Sequence, residues 1–374
     1  MSSRHSDLLA PLAMLVLSAC GARTDLSVYV GTRLSDAGVP DAPSLSDVGG
    51  PDTAPRNDAT SGCGGSGEPC CGGGVCVTSL SCMSGVCTAP RTGVVVLFGG
   101  RAPHGGDLSD TWIFDGTSWS ELSVPEAPPA RDSAGMATLG SRVVLFGGFK
   151  SATLISDTWM FDGTSWTEVH GSPHPPSVDS MAALGGQVTV YTGSPRNPYA
   201  GGGGGDTWTF DGTSWTLAPT HSGPSARIGS GLATLGTEDI LFGGADDDHT
   251  WAFDGTRWSQ LKVSTHPGSL GSPGMATLGG EVVLFGGQND LGNDVDDTWT
   301  FDGTVWSQLP LSSRPPARES ASAATLGGRV VLFGGEHRGT YFNDTWTFDG
   351  TTWSQLTIPS PPSERFAATM AFLP

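Results

Sequence analysis

An all-β ring of six equivalent blades is what this sequence predicts, and three observations carry the prediction. Sheet-forming segments recur with a period of about 47 residues. Every repeat contains one tryptophan pair, seven residues apart, and the six pairs account for all 12 tryptophans. The first repeat lacks its opening strand, and a matching segment stands at the C-terminus.

The pairs are Trp112/Trp119, Trp159/Trp166, Trp208/Trp215, Trp251/Trp258, Trp299/Trp306 and Trp346/Trp353. Each unit reads as four strands, a to d. Strand a is a run such as 133–140, and strand b an apolar run ending in glycine, such as 142–148. Strand c carries Thr-Trp-x-Phe, and strand d begins at the second tryptophan. In strand c, tryptophan and phenylalanine are two residues apart, so they share one face of the sheet. Asp-Gly between c and d, and Leu-Gly-Gly or a near variant between a and b, are hairpin signals. The array starts at Gly93 with a strand b. The segment Arg365 to Leu373 aligns with Arg131 to Leu139, which leads into one. Pairing the C-terminal strand with the N-terminal blade closes residues 93–374 into a six-bladed β-propeller and removes two unpaired sheet edges.

The chain ahead of the array falls into three parts. Residues 1–19 have a targeting pattern: Arg4, then the apolar run 8–19, too short to span a bilayer. Leu17-Ser18-Ala19-Cys20 resembles the lipobox of bacterial lipoprotein signal peptides. That resemblance implies cleavage before Cys20, diacylglycerol on its sulfur, and a place in the bacterial cell envelope, as an outer-membrane lipoprotein or at the cell surface. An ordinary signal peptide of a secreted protein is the plainer alternative. Residues 20–61 hold this anchor site and a disordered tether rich in Ser, Ala, Pro, Gly and Asp. Residues 62–88 contain Cys63, Cys70, Cys71, Cys76, Cys82 and Cys87. Six cysteines in an exported segment read as a three-disulfide module of open connectivity, with a zinc cluster as the alternative. A stiff spacer is its simplest role.

With a net charge of -19 and a pI near 4.5, the chain lacks the basic surface that nucleic acid needs. Contact with a membrane is expected through the lipid anchor only, and the propeller is expected to be a monomer. Double glycine after an apolar strand, an aromatic residue, and the second tryptophan, at this period, resemble the kelch repeat. The third unit departs at Tyr191-Thr192-Gly193, and the fourth has His249 where the others have aspartate. The resemblance implies a six- or seven-bladed propeller, and the split blade favours six.

Strand parity places the a–b and c–d turns on one face and the b–c and d–a connections on the other. The first set repeats nearly unchanged. The b–c loops 101–109, 149–156, 194–205, 245–248, 288–296 and 336–343 vary in length and composition, so the b–c/d–a face is the candidate working face. The tryptophans, present in every blade, read as packing rather than as a binding stripe. Arg131, Arg227, Arg318 and Arg365 share one register, eight residues before the leucine that ends strand a. They are expected to ring the channel mouth and attract a carboxylate-bearing ligand, as arginines near this place in kelch adaptors engage acidic peptides. The alternative is that each pairs with a blade aspartate such as Asp110 or Asp157. Histidines 104, 170, 174, 221, 249, 266 and 337 fall in or beside the variable connections without metal-ligand spacing. Asp246, Asp247, Asp248 and the run 289–297 are oxygen-rich enough to hold calcium, though they match no EF-hand. Otherwise no cofactor is expected.

The function expected is a lipid-anchored binding module that recognises a protein or glycan. The rivals are a secreted carbohydrate-active enzyme, galactose oxidase-like or glycosidase-like, and a structural envelope protein. The galactose oxidase chemistry needs a Tyr–Cys cross-link, and residues 93–374 contain no cysteine. Asp-Gly-Thr-x-Trp also falls one residue short of the aspartate box of sialidases. No catalytic residue is assigned.

Overall fold

The b-strand Val94–Phe98 is apolar at every position, and all five residues are buried. A strand of that kind needs cover on both faces, and each blade of this protein supplies it for its neighbours. The computed structural model describes residues 93–193, 205–220, 222–244 and 247–374, with the backbone of the short strands Ser81–Met83 and Val86–Thr88. The targeting segment, Cys20, the tether and Cys63, Cys70, Cys71 and Cys76 lie outside the described residues. The two short strands pair antiparallel with Cys82 opposite Cys87.

Six four-stranded antiparallel sheets form the ring. Blade 1 is ordered Thr369–Leu373, Val94–Phe98, Thr111–Phe114, Trp119–Leu122. Its first strand comes from the C-terminus, in the register Val94 to Leu373 and Phe98 to Thr369. The a-strands of blades 2 to 6 are Gly135–Leu139, Ser180–Leu184, Ser230–Leu235, Gly274–Leu278 and Ser322–Leu326. Together with Thr369–Leu373 they pack side by side in an unbroken circle around the axis. The expected closure and blade count are both found.

Each blade-to-blade seam has its own apolar cluster. The second tryptophan of each pair fills it, packed against the phenylalanine of its own strand c at 4.9–5.1 Å between ring centres. Its indole N–H donates to the strand c threonine of the preceding blade. Trp166 reaches Thr111 at 3.0 Å, Trp215 reaches Thr158 at 2.8 Å and Trp258 reaches Thr207 at 2.7 Å. Trp306 to Thr250, Trp353 to Thr298 and Trp119 to Thr345, all at 2.9 Å, complete the circle, the last across the closing seam. A buried indole needs an acceptor, and the repeated threonine is that acceptor.

The c–d turns span four residues, Asp115 to Ser118 in blade 1. The aspartate Oδ1 accepts the amides of Thr117 and Ser118, both at 2.8 Å, and the Thr117 hydroxyl at 2.7 Å. The same bonds recur at Asp162, Asp211, Asp254 and Asp302. They hold the carboxyls of Asp162, Asp211 and Asp254 down at about 2. These aspartates are turn formers.

Candidate functional site

The four arginines do not face the channel. Their exposures are 1% for Arg131, 3% for Arg227, 1% for Arg318 and 0% for Arg365. Arg131 donates to both carboxylate oxygens of Asp157, at 2.5 and 2.8 Å, and to the Gly147 carbonyl at 2.9 Å. Arg318 holds Asp344 and Gly334, and Arg365 holds Asp110 and Gly99, in the same way. Arg227 meets Asp247 at 2.8 Å and the Gly243 carbonyl at 3.0 Å. An accessible positive ring is therefore ruled out as a direct ligand site, because the guanidinium donors are spent on blade aspartates and carbonyls. In blade 5, Leu270 occupies the arginine's register.

These residues join neighbouring blades. The side chain of Arg131 is fixed to blade 2, while its backbone carbonyl accepts the Gly100 amide of blade 1 at 2.9 Å. A Cβ on Gly99 would lie 2.6 Å from that carbonyl. The double glycine thus exists to let the next blade's backbone in. Gly287 to Arg318 and Gly335 to Arg365 repeat the bond, and Gly244 makes it to Leu270. Burial pushes the Asp110 and Asp157 carboxyls up, but the hydrogen bonds and charge of Arg365 and Arg131 outweigh it and leave both below the ordinary range. The stability they contribute is present above the ordinary carboxyl value and is lost as pH falls through the lowered one.

The comparisons agree with this frame. The sequence profile of the KLHDC2/KLHL20/DRC7 Kelch-repeats domain matches residues 77–244 and 245–373. The chain belongs to the kelch-repeat family. No curated protein is found to match. Kelch propellers are typically scaffolds for protein interaction, which directs attention to the faces of this one.

The channel of the kelch propeller offers about 160 Å³. A Cβ on Gly135 or Gly231 would collide with Met181 or Met275, so methionines fill the space that the glycines leave. The c–d face is occupied by its own aspartate turns. The b–c/d–a face differs from blade to blade. Exposed apolar side chains stand on it: Phe149 at 37%, Leu154 at 45%, Ile228 at 58% and Leu291 at 79%. Carboxylates lie between them in two groups. Asp107 and Asp132 crowd each other, and burial, followed by this repulsion, raises the Asp132 carboxyl, with Arg101 at 3.8 Å. Across blades 5 and 6, Glu319 is pushed up to about 7, first by burial and then by Asp294 and Glu336. His337 Nδ1 lies 2.8 Å from Asp294.

The described histidines lie at separate places, apart from His249 and His266, which share Asp248. His170 and His174 line a cleft of about 210 Å³ between blades 2 and 3. His249 and His266 approach Asp248 at 3.7 and 3.8 Å, and His337 belongs to the blade 5–6 group. Ligand atoms of Asp247, Asp248 and His249 lie within 4.8 Å of one another. Asp247 is already committed to Arg227, which takes one oxygen from a calcium ligand set. Asn289 Oδ1 accepts the Leu291 and Asn293 amides at 3.1 and 2.9 Å, the bonding of a turn former. His221 and Asp246 lie outside the described residues.

Proposed function

We propose that this kelch propeller is a lipid-anchored, extracytoplasmic interaction module that takes a protein partner on its b–c/d–a face. The observation that carries the reading is the division between the faces. One is a repeated set of self-satisfied turns, and the other displays four exposed apolar side chains among carboxylates whose pKa values are raised by burial and by one another. Apolar knobs ringed by charge suit a protein surface of mixed apolar and cationic character. The apolar run 8–19 ending at Cys20, followed by the 21–61 tether, supports display from an envelope membrane.

The test immobilises the full chain and probes it with mixed-charge peptide and glycan arrays. Peptides should bind, and Leu154→Asp with Ile228→Asp should weaken binding by roughly tenfold or more. Val305→Asp, on the opposite face, should leave it unchanged. Capture of glycans alone, or unchanged peptide binding in the loop-face variant, overturns the reading.

A further inference from the structure

One seam of the six is built differently. At the others, an aliphatic residue in the middle of strand b meets a valine of the next blade's strand b: Val96 with Val143, Val144 with Val188, Ile240 with Val282, Val283 with Val330, Val331 with Val95. Between blades 3 and 4 both partners are polar. Thr189 stands where the aliphatic residue would be and faces Asp239, which stands where the valine would be. Both are enclosed, at 1% and 0% exposure. Thr234 donates to Asp239 Oδ1 at 2.5 Å, while Oδ2 is buried with no hydrogen-bond partner.

The channel rim also changes at blade 3. At four seams backbone amides bond from blade to blade: Ser272 to Gly229, Ser320 to Ser272, Ala367 to Ser320 and Ser133 to Ala367, at 2.6–3.0 Å. At blade 3 a side chain interrupts this collar. The carboxylate of Asp179 accepts the Gly229 amide at 2.6 Å, the Ser230 amide at 3.0 Å and the Ser230 hydroxyl. Tyr191 replaces the usual phenylalanine here and donates its hydroxyl to the Ser225 carbonyl at 2.6 Å.

We propose that the seam between blades 3 and 4 is a proton-operated joint of the ring, tight when Asp239 is protonated and looser when it is ionised. An ionised Asp239 buries charge on an oxygen without a hydrogen-bond partner, and such charge is costly. Burial pushes this carboxyl up to about 6, against the hydrogen bond from Thr234. The groups facing Asp239 are the neutral hydroxyls of Thr189 and Thr234. Asp179 is held by three donors and faced by the Arg227 guanidinium, all of which favour its ionised form, so the rim bond is kept when Asp239 ionises. Because the Asp239 value lies above the ordinary 3.8, the stabilisation is fully present below 3.8 and is lost as pH rises through about 6.

Hydrogen exchange on the full chain, corrected for intrinsic rates, tests the joint at about pH 4.5 and about pH 7.5. Segments 187–191 and 230–243 should lose protection at the higher pH by roughly tenfold or more, while strand b of blade 1 should not. Thr189→Val/Asp239→Val, which restores the aliphatic pair, should remove most of the logarithmic change. Asp239→Asn provides the same comparison should the double variant fail to fold. Equal protection at both pH values, a loss shared by all seams, or an unchanged pH response in the variants overturns the proposal.

Discussion

Arg318 illustrates how completely a charged side chain is used in this ring. Its guanidinium holds Asp344 and the Gly334 carbonyl, its Nε donates to the Pro316 carbonyl at 3.0 Å, and its carbon lies 3.9 Å from the Phe342 ring centre. Replacing one member of such a pair leaves the other largely buried without its counter-charge. Arg318→Met should therefore lower unfolding free energy by about 3–5 kcal/mol in urea titration. Leu270 shows that a blade can be built without the arginine. In the variant Asp344 would keep the Trp346 indole N–H, at 2.7 Å, but lose its cation.

Among the elements, the c–d turn is the most repeated. Gly303 sits in it at φ +98°, and an added Cβ would approach nothing closer than Leu235, at 3.6 Å. Space is therefore available and only the backbone conformation resists. Gly303→Ala should cost about 1–2 kcal/mol through the left-handed conformation alone. Thermal unfolding of the variant checks this, and a much larger loss would point to a packing role that the geometry does not contain. The double glycine after strand b is the opposite case. There the neighbouring blade's carbonyl occupies the position a side chain would need, 2.5 Å away at Gly286.

For the whole molecule, the C-terminal strand is the closure. Thr369–Leu373 pairs along all of Val94–Phe98, and the Phe372 carbonyl accepts the Thr138 hydroxyl of blade 2 at 2.5 Å. Ending the chain at residue 364 removes Arg365, leaves Asp110 without its cation, and exposes a fully apolar strand edge. Such an edge pairs with other chains. The truncated protein should elute as aggregates in size-exclusion chromatography, and a peptide spanning 365–374 added during refolding should restore the elution volume of the full chain. A truncated chain that stays soluble and folded would show that the ring does not depend on this latch.

The repeat, the tryptophan pairs and the split first blade were legible in the sequence, because each is a local pattern multiplied six times. The face that varies was legible for the same reason. For the arginines the sequence offers two readings, a ring at the channel mouth and pairing with blade aspartates such as Asp110 or Asp157, and the structure holds the second. Their common register is visible in one dimension, but whether a guanidinium enters the channel or turns into the blade depends on where Asp110, Asp157 and Asp344 arrive from distant parts of the chain. The threonine of each Thr-Trp segment was visible as a repeat, yet its role appears only when the tryptophan of the next blade reaches it. Asp239 could have been noticed as the one aspartate in a run that is elsewhere valine, and Thr189 as its neighbour in kind. That the two meet across one seam, between strands 50 residues apart, was decided only by closing the ring. Periodicity is a property of the chain, while burial and charge pairing belong to the packed whole.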